Sequence, residues 1–221
     1  NCKVFAIEID IEAAKEASKF CEKIIVGDLN QGNIFEEFKD IKFDAIVFGD
    51  VLEHLYNPID VTRRSCELLK KNGTVLFSIP HILHSAILME MLEGRFDYRE
   101  SGLLDKTHIR FFSRKSILEL LNKSDLVSQK WLVGICEPEA TEFAQSYKNF
   151  PIEVCEKLLC RPDAHVYQYL IRAQRCEYVV DDEELELPLS FSSETYRTFK
   201  TILRKRSKCL YFWRLLKNSC I

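Results

Sequence analysis

Apolar residues recur along this chain as short runs, each closed by an acid or a glycine. The first is Val4-Phe5-Ala6-Ile7-Glu8-Ile9-Asp10, the second Ile24-Ile25-Val26-Gly27-Asp28-Leu29. The third is Phe43-Asp44-Ala45-Ile46-Val47-Phe48-Gly49-Asp50-Val51-Leu52-Glu53-His54. They read as strands over Val4 to Glu8, Lys23 to Gly27 and Phe43 to Phe48. Between them lie segments rich in Ala, Glu and Lys, which read as helices. Asp10 is placed to cap a helix from Ile11 to Lys23, and Phe35 to Phe38 suggests a short helical turn. Pro58 suits the first turn of a helix running to about Lys71, with Asn72-Gly73 as its stop.

The pattern continues with a fourth strand over Thr74 to Ile79, ended by Pro80. Residues 82 to 93 read as a helix, and Gly94 to Thr107 as a polar loop or lid. Ser113 can cap a helix from Arg114 to about Asn122. Val127 to Ile135 and His165 to Ala173 read as two last strands paired antiparallel at an edge, around an inserted segment of about 136–162 with a helical look. Strands alternating with helices predict an α/β fold, Rossmann-like, with a mostly parallel sheet and an antiparallel edge. That domain spans residues 1–174.

The character changes over 175–221. Asp181-Asp182-Glu183-Glu184-Leu185-Glu186 is an acidic, linker-like run. No acid follows Glu194, whereas Arg197, Lys200, Arg204, Lys205, Arg206, Lys208, Arg214 and Lys217 do. Aromatic and leucine residues interleave them. The segment is expected to lie outside the main sheet, as an amphipathic helix packed on a neighbouring domain or, as a weaker alternative, on a membrane surface through residues 195–221.

Composition narrows the picture without redirecting it. With 221 residues, 47% of them hydrophobic, the chain can build one sizeable core and an appendage. A net charge of −3 and a pI near 6.0 give no general attraction to nucleic acid. The nine cysteines are scattered, odd in number and without a C-x-x-C pair, which suits reduced thiols in a cytoplasmic protein. No apolar stretch approaches the ~20 residues of a membrane span.

Polar residues at the carboxyl ends of buried strands form the ligand crevice of open α/β sheets. An acid at one strand end can accept hydrogen bonds from both hydroxyls of a ribose. An acid at the next can accept from an adenine amine. The pair describes an adenosine pocket.

At this point the chain resembles the class I S-adenosylmethionine-dependent methyltransferases, in the branch with Leu-Glu-His after the fourth strand. The resemblance rests on Ala6-Ile7-Glu8-Ile9-Asp10, Val26-Gly27-Asp28-Leu29, Asp50-Val51-Leu52-Glu53-His54, Leu69-Lys70-Lys71-Asn72-Gly73-Thr74-Val75-Leu76 and Asp105-Lys106-Thr107-His108-Ile109-Arg110-Phe111-Phe112-Ser113, in that order. It covers residues 3 to about 135 and is expected to extend to 174. It implies S-adenosyl-L-methionine as cofactor. Glu8 would then hold the ribose hydroxyls, with Ile9 against the adenine. Asp28 would meet the adenine amine, with Leu29 nearby, and Gly49 and Asp50 would line the methionine side. Val4 to Glu8 matches the family's second strand, so the first strand and its glycine-rich loop are missing at the amino end. The chain is expected to be an N-terminally truncated fragment, the alternative being that another chain or segment fills the central gap.

Methyl transfer from a sulfonium is largely a matter of alignment, and a hydroxyl nucleophile gains from a base near neutral pKa. His54 and His81 are the candidate catalytic residues. His108 and Arg110 sit on a segment that could fold over the substrate, Arg110 suiting an anionic group. His81 and His84 lack a convincing third ligand, so no metal site is expected. The acceptor is expected to be a small-molecule or glycan-type oxygen, less readily nitrogen. The rival readings are a Rossmann enzyme using NAD or a nucleotide-sugar, which Glu8 fits equally well, and a degenerate scaffold domain.

Overall fold

The computed structural model describes residues 2–175 and 208–213. Seven strands form one sheet: β1 (Lys3–Glu8), β2 (Lys23–Val26), β3 (Phe43–Gly49), β4 (Leu69–Pro80), β5 (Leu126–Ile135), β6 (Val166–Arg175) and β7 (Lys208–Trp213). Their spatial order is β2-β1-β7-β3-β4-β6-β5. The first five in that order run parallel, and β6 is antiparallel to both β4 and β5. Five helices accompany them among the described residues: α1 (Ile11–Ala17), α2 (Pro58–Glu67), α3 (Ser85–Leu92), α4 (Arg114–Lys123) and α5 (Ile152–Leu159). The mostly parallel sheet with an antiparallel edge is the Rossmann-like arrangement that the strand and helix pattern predicts.

Local signals set most of the boundaries. Asp10, extended at the start of α1, accepts the Ala13 N–H at 2.8 Å. Ser113 and Ser116 close a reciprocal cap on α4, which satisfies amide groups the first turn leaves unpaired. Pro58 opens α2 behind Asn57, whose side chain accepts the Asp60 N–H. The core is rich in phenylalanine. Phe5, Phe38 and Phe43 meet edge to face, and Phe48 and Phe77 stack across β3 and β4 with centroids 5.4 Å apart. Burying each such ring contributes on the order of 2 kcal/mol.

Two expectations are corrected. Helix α2 stops at Glu67 rather than near Lys71, and Asn72-Gly73 lies inside β4. Leu69 already pairs with Phe43, so the chain enters the sheet as soon as the helix ends, and the ladder slips its register before Ala45 meets Thr74. Gly73 accommodates that irregularity: a Cβ there would come within 2.8 Å of the Leu69 side chain.

The second correction concerns the C-terminal segment. Lys208–Trp213 is neither a helix nor outside the sheet. It is the central strand β7, parallel to β1 on one side and β3 on the other. It fills the position that the resembled family gives to its first strand. An uninterrupted apolar and aromatic run, Cys209 to Trp213, suits a strand better than an amphipathic helix. The acidic run 181–186 and the rest of the basic tail lie outside the described residues. In the inserted segment, α5 follows two isolated 3-10 turns, Pro138–Ala140 and Tyr147–Asn149. No helix among the described residues is long and apolar enough to cross a membrane.

Leu210 pairs with Phe5 of β1 and with Ile46 of β3. Proline at that position removes a ladder donor from a strand paired on both sides. Leu210→Pro is therefore expected to lower stability by at least about 2 kcal/mol. An unchanged urea midpoint would refute the central placement of β7.

Candidate active site

The parallel strands deliver their carboxyl ends to one side of the sheet, and the residues found there are Glu8, Asp28, Gly49 and Asp50. Glu8, the last residue of β1, is buried, and its Oε1 accepts the Asp10 N–H at 2.9 Å. Its carboxylate thus braces the entry into α1 while standing at the strand end. Ile9 beside it is 64% exposed, an apolar face open to a planar ligand. Asp28 follows β2 in a tight turn, and its Oδ1 accepts both the backbone and side-chain amides of Asn30 at 2.9 Å. Leu29 is buried under that turn. Asp28 is therefore at once a turn residue and a strand-end acid.

Gly49 ends β3 with no heavy atom within 4 Å of where a Cβ would stand, so this strand end opens onto space. Asp50 follows with a φ of 53°, a left-handed conformation that aspartate tolerates better than most residues. Its Oδ1 accepts from Ser78 Oγ, at the end of β4, and from Gln168 Nε2 of β6. The Asp50 amide donates to the Ser78 carbonyl at 3.2 Å. Three strands thereby hold one sharply turned residue in place. Ser78 and Gln168 carry no motif of their own, and the sequence offers no signal for them.

The left-handed turn throws the chain into a short 3-10 turn, Leu52–His54. Leu52 and Leu55 anchor it in the core, and Glu53 is drawn in with them, 1% exposed. The segment after the lid docks here. The Ile109 and Arg110 amides both donate to the Glu53 carbonyl, at 2.9 and 3.0 Å. His54 Nδ1 donates to the Thr107 carbonyl at 3.0 Å, and His108 Nδ1 to the Leu103 carbonyl at 3.1 Å. The carbonyls only accept, so both Nδ1 atoms carry the hydrogen. The two rings meet edge to face, centroids 4.8 Å apart. One ligating atom from each of Glu53, His54 and His108 falls within 4.8 Å of the others.

Arg110 is exposed at the edge of this cluster. Its guanidinium donates to the Tyr56 carbonyl at 2.7 Å, and Tyr56 in turn donates its amide to Asn30 Oδ1 at 2.9 Å. Arg110 thus ties the lid segment to the rim of the crevice. Nearby, Asp105 accepts from Thr107, and Glu100 pairs with Lys106.

His81 is a correction. It is completely buried, its Nδ1 bonded to the Val166 carbonyl at 3.1 Å and its Nε2 facing Asp163 Oδ2 at 3.3 Å. That contact holds the Asp163 carboxyl below its usual range. Tyr169 lies edge-on against the ring. The side chain braces β4 against β6 and is not placed to meet a substrate.

His84 is equally buried and caps α3. Its Nδ1 accepts the Ala86 N–H at 3.1 Å, and its Nε2 donates to the Cys136 carbonyl at 2.9 Å. Both bonds need the neutral ring, and burial pushes the pKa down to about 4. Above pH ~6.5 the ring is neutral folded or unfolded. As the pH falls from there toward 4, the unfolded chain takes up a proton that the fold refuses. Folding stability is therefore expected to drop by up to about 3 kcal/mol across that window. Urea midpoints from pH 7.5 to 4.5 check this, and His84→Asn, which keeps a capping acceptor without the titration, should flatten that part of the profile.

The sequence of residues 1–129 matches the family described as methyltransferase domain, more than half of the chain. An uncharacterised protein of Methanocaldococcus jannaschii is 27% identical over 121 residues, 55% of this chain and 56% of that protein, so the chain spans about half the length of this curated relative. Among solved structures, an S-adenosylmethionine-dependent methyltransferase of Mesorhizobium loti is similar with a TM-score of 0.49 at 15% identity, over 78% of this chain and 80% of that one. Magnesium protoporphyrin IX methyltransferase of Synechocystis, solved with S-adenosylhomocysteine, gives 0.47 at 12% identity, over 79% and 64%.

Proposed function

The chain belongs to the class I S-adenosylmethionine-dependent methyltransferase family, and on that premise we propose that it transfers a methyl group to a hydroxyl of a small-molecule or glycan-type acceptor. One arrangement carries the reading: a buried glutamate at the end of β1, an exposed isoleucine beside it and an aspartate at the end of β2. In this reading the Glu8 carboxylate accepts from both ribose hydroxyls, Ile9 covers one face of the adenine, and Asp28 accepts from its amine above Leu29. Asp28 Oδ2 has no partner among the described residues, which suits that contact. The methionine portion lies over Gly49 and Asp50, where the absence of a side chain leaves room.

The acceptor faces the His54 side of the crevice. A neutral amine can attack a methyl sulfonium with its own lone pair, whereas a hydroxyl must be polarised or deprotonated as it attacks. Two imidazoles and a carboxylate gathered at this strand end supply the means for the second task. In the transfer, the acceptor oxygen forms a bond to the methyl carbon, the carbon–sulfur bond breaks with its electron pair going to sulfur, and the hydroxyl proton leaves to water. The products are the methyl ether and S-adenosylhomocysteine. Beyond polarising the hydroxyl, the protein's part is alignment of oxygen, carbon and sulfur. The NAD reading shares Glu8 but gives no use to Asp28 or to the Asp50–His54 segment.

Calorimetric titration of S-adenosylhomocysteine tests the pocket. Binding is expected in the wild type and about 100-fold weaker in Glu8→Gln, which loses two hydrogen bonds to a charged acceptor. Competition by NADH with equal effect in both proteins would sink the donor assignment.

A further inference from the structure

Glu53, His54 and His108 come from two segments far apart in sequence, and the fold brings a ligating atom of each within 4.8 Å of the others. The set is chemically specific: two imidazoles and one carboxylate are the donors of divalent first-row transition ions rather than of magnesium or calcium, which take oxygen ligands. We propose that these three side chains bind a divalent transition metal ion of the zinc or manganese kind, and that this ion holds the acceptor hydroxyl for methyl transfer.

The geometry supports a coordination site in three respects. Each histidine donates its Nδ1–H to a backbone carbonyl, His54 to Thr107 and His108 to Leu103. This is the outer-shell contact that fixes the tautomer and orients a metal-binding ring, and in the neutral imidazole it places the lone pair on Nε2. His108 Nε2 stands 3.9 Å from Glu53 Oε1. That is too long for a hydrogen bond. It fits two donors each about 2.1 Å from a shared ion, which stand about 3 to 4 Å apart over ordinary coordination angles. Two donors on one ion stand at most about 4.2 Å apart, so the 4.8 Å spread of the cluster has to narrow by about half an ångström on binding. Finally, Glu53 and His108 are buried while His54 is partly exposed. Three protein ligands with one open side leave positions for substrate, the arrangement of catalytic rather than structural sites.

The placement gives the ion a task. The Leu52–His54 turn follows the Gly49-Asp50 end of β3 directly, so the cluster borders the part of the crevice assigned to the reacting end of the cofactor. An ion there would lower the pKa of a coordinated hydroxyl, and its oxygen would attack as an alkoxide-like nucleophile once the proton has passed to water. His54 then acts as a ligand rather than as a base. This catalytic consequence rests on the methyltransferase reading, while the metal site itself does not.

Cobalt(II) alone, titrated into the metal-stripped full chain and followed by its visible d–d absorption, tests the site. One equivalent is expected to bind with the spectrum of mixed nitrogen and oxygen ligation. Glu53→Gln and His54→Ala should each weaken binding about tenfold or more. Should the buried Glu53 variant fail to fold, the partly exposed His54 variant carries the test. No stoichiometric cobalt in the wild type, or the same affinity and spectrum in folded His54→Ala, would overturn the proposal. S-adenosylhomocysteine titrated into the same samples separates the two readings. If it binds while cobalt does not, the metal site fails and the donor pocket stands. If cobalt binds while it does not, the metal site stands and the donor pocket fails.

Discussion

Two strands held apart by the width of a third cannot leave the slot between them empty. β1 and β3 each turn a row of amides and carbonyls toward that slot, in the middle of the sheet where water does not reach to satisfy them. β7 fills it, drawn from residues 208–213 at the far end of the chain. It also sets the relative height of its neighbours. Ile7 and Phe48 both pair with Phe212, so Glu8 and Gly49 stand level, one on either side of Trp213. Two inter-strand spacings place them about 9–10 Å apart. The proposed donor pocket depends on that level spacing, with the ribose at one strand end and the reacting methyl near the other.

What happens past the strand ends follows from a single backbone reversal. Asp50 adopts a left-handed conformation and is held there by Ser78 and Gln168 from the two strands beyond it. Conformations of this kind persist where the surroundings over-determine them, and they concentrate at functional sites. The reversal turns the next residues away from the sheet and toward the lid segment. There the Glu53 carbonyl receives two amides, and the histidines of both segments meet. Arg110 and Tyr56 extend the same fastening to the Asp28 turn through Asn30. The crevice therefore has a continuous hydrogen-bonded rim on this side, running from the β2 end to the lid.

Several features were legible because they depend only on near neighbours. The strands that end in Glu8 and Gly49 are apolar runs, and the caps at Asp10, Asn57 and Ser113 are short polar side chains placed where amides lack partners. Others were misread because one local signal admits two outcomes. Asn72-Gly73 stops a helix in many chains, but here Leu69 had already found Phe43, and the glycine serves a strand irregularity. Lys208–Trp213 carries basic residues on both sides, which suggested an amphipathic tail. Its uninterrupted apolar run was the better guide.

The histidines show where a sequence stops being informative. His54 and His81 both follow strands that lead to the crevice, and nothing in their neighbours separates them. Only packing shows that His54 stays partly exposed and that His81 is sealed between β4 and β6 against Asp163 and Tyr169. Glu53, His54 and His108 likewise lie in two segments far apart in sequence, which only the fold packs together. By itself the sequence determined the alternation of strands and helices, the acids at the strand ends and the family they resemble, because period and capping act over a few residues. The tertiary structure alone decided which strand fills the centre of the sheet, which histidine is sealed in the core and which three side chains converge beside the end of β3. Those outcomes depend on backbone pairing and burial between residues tens to hundreds of positions apart.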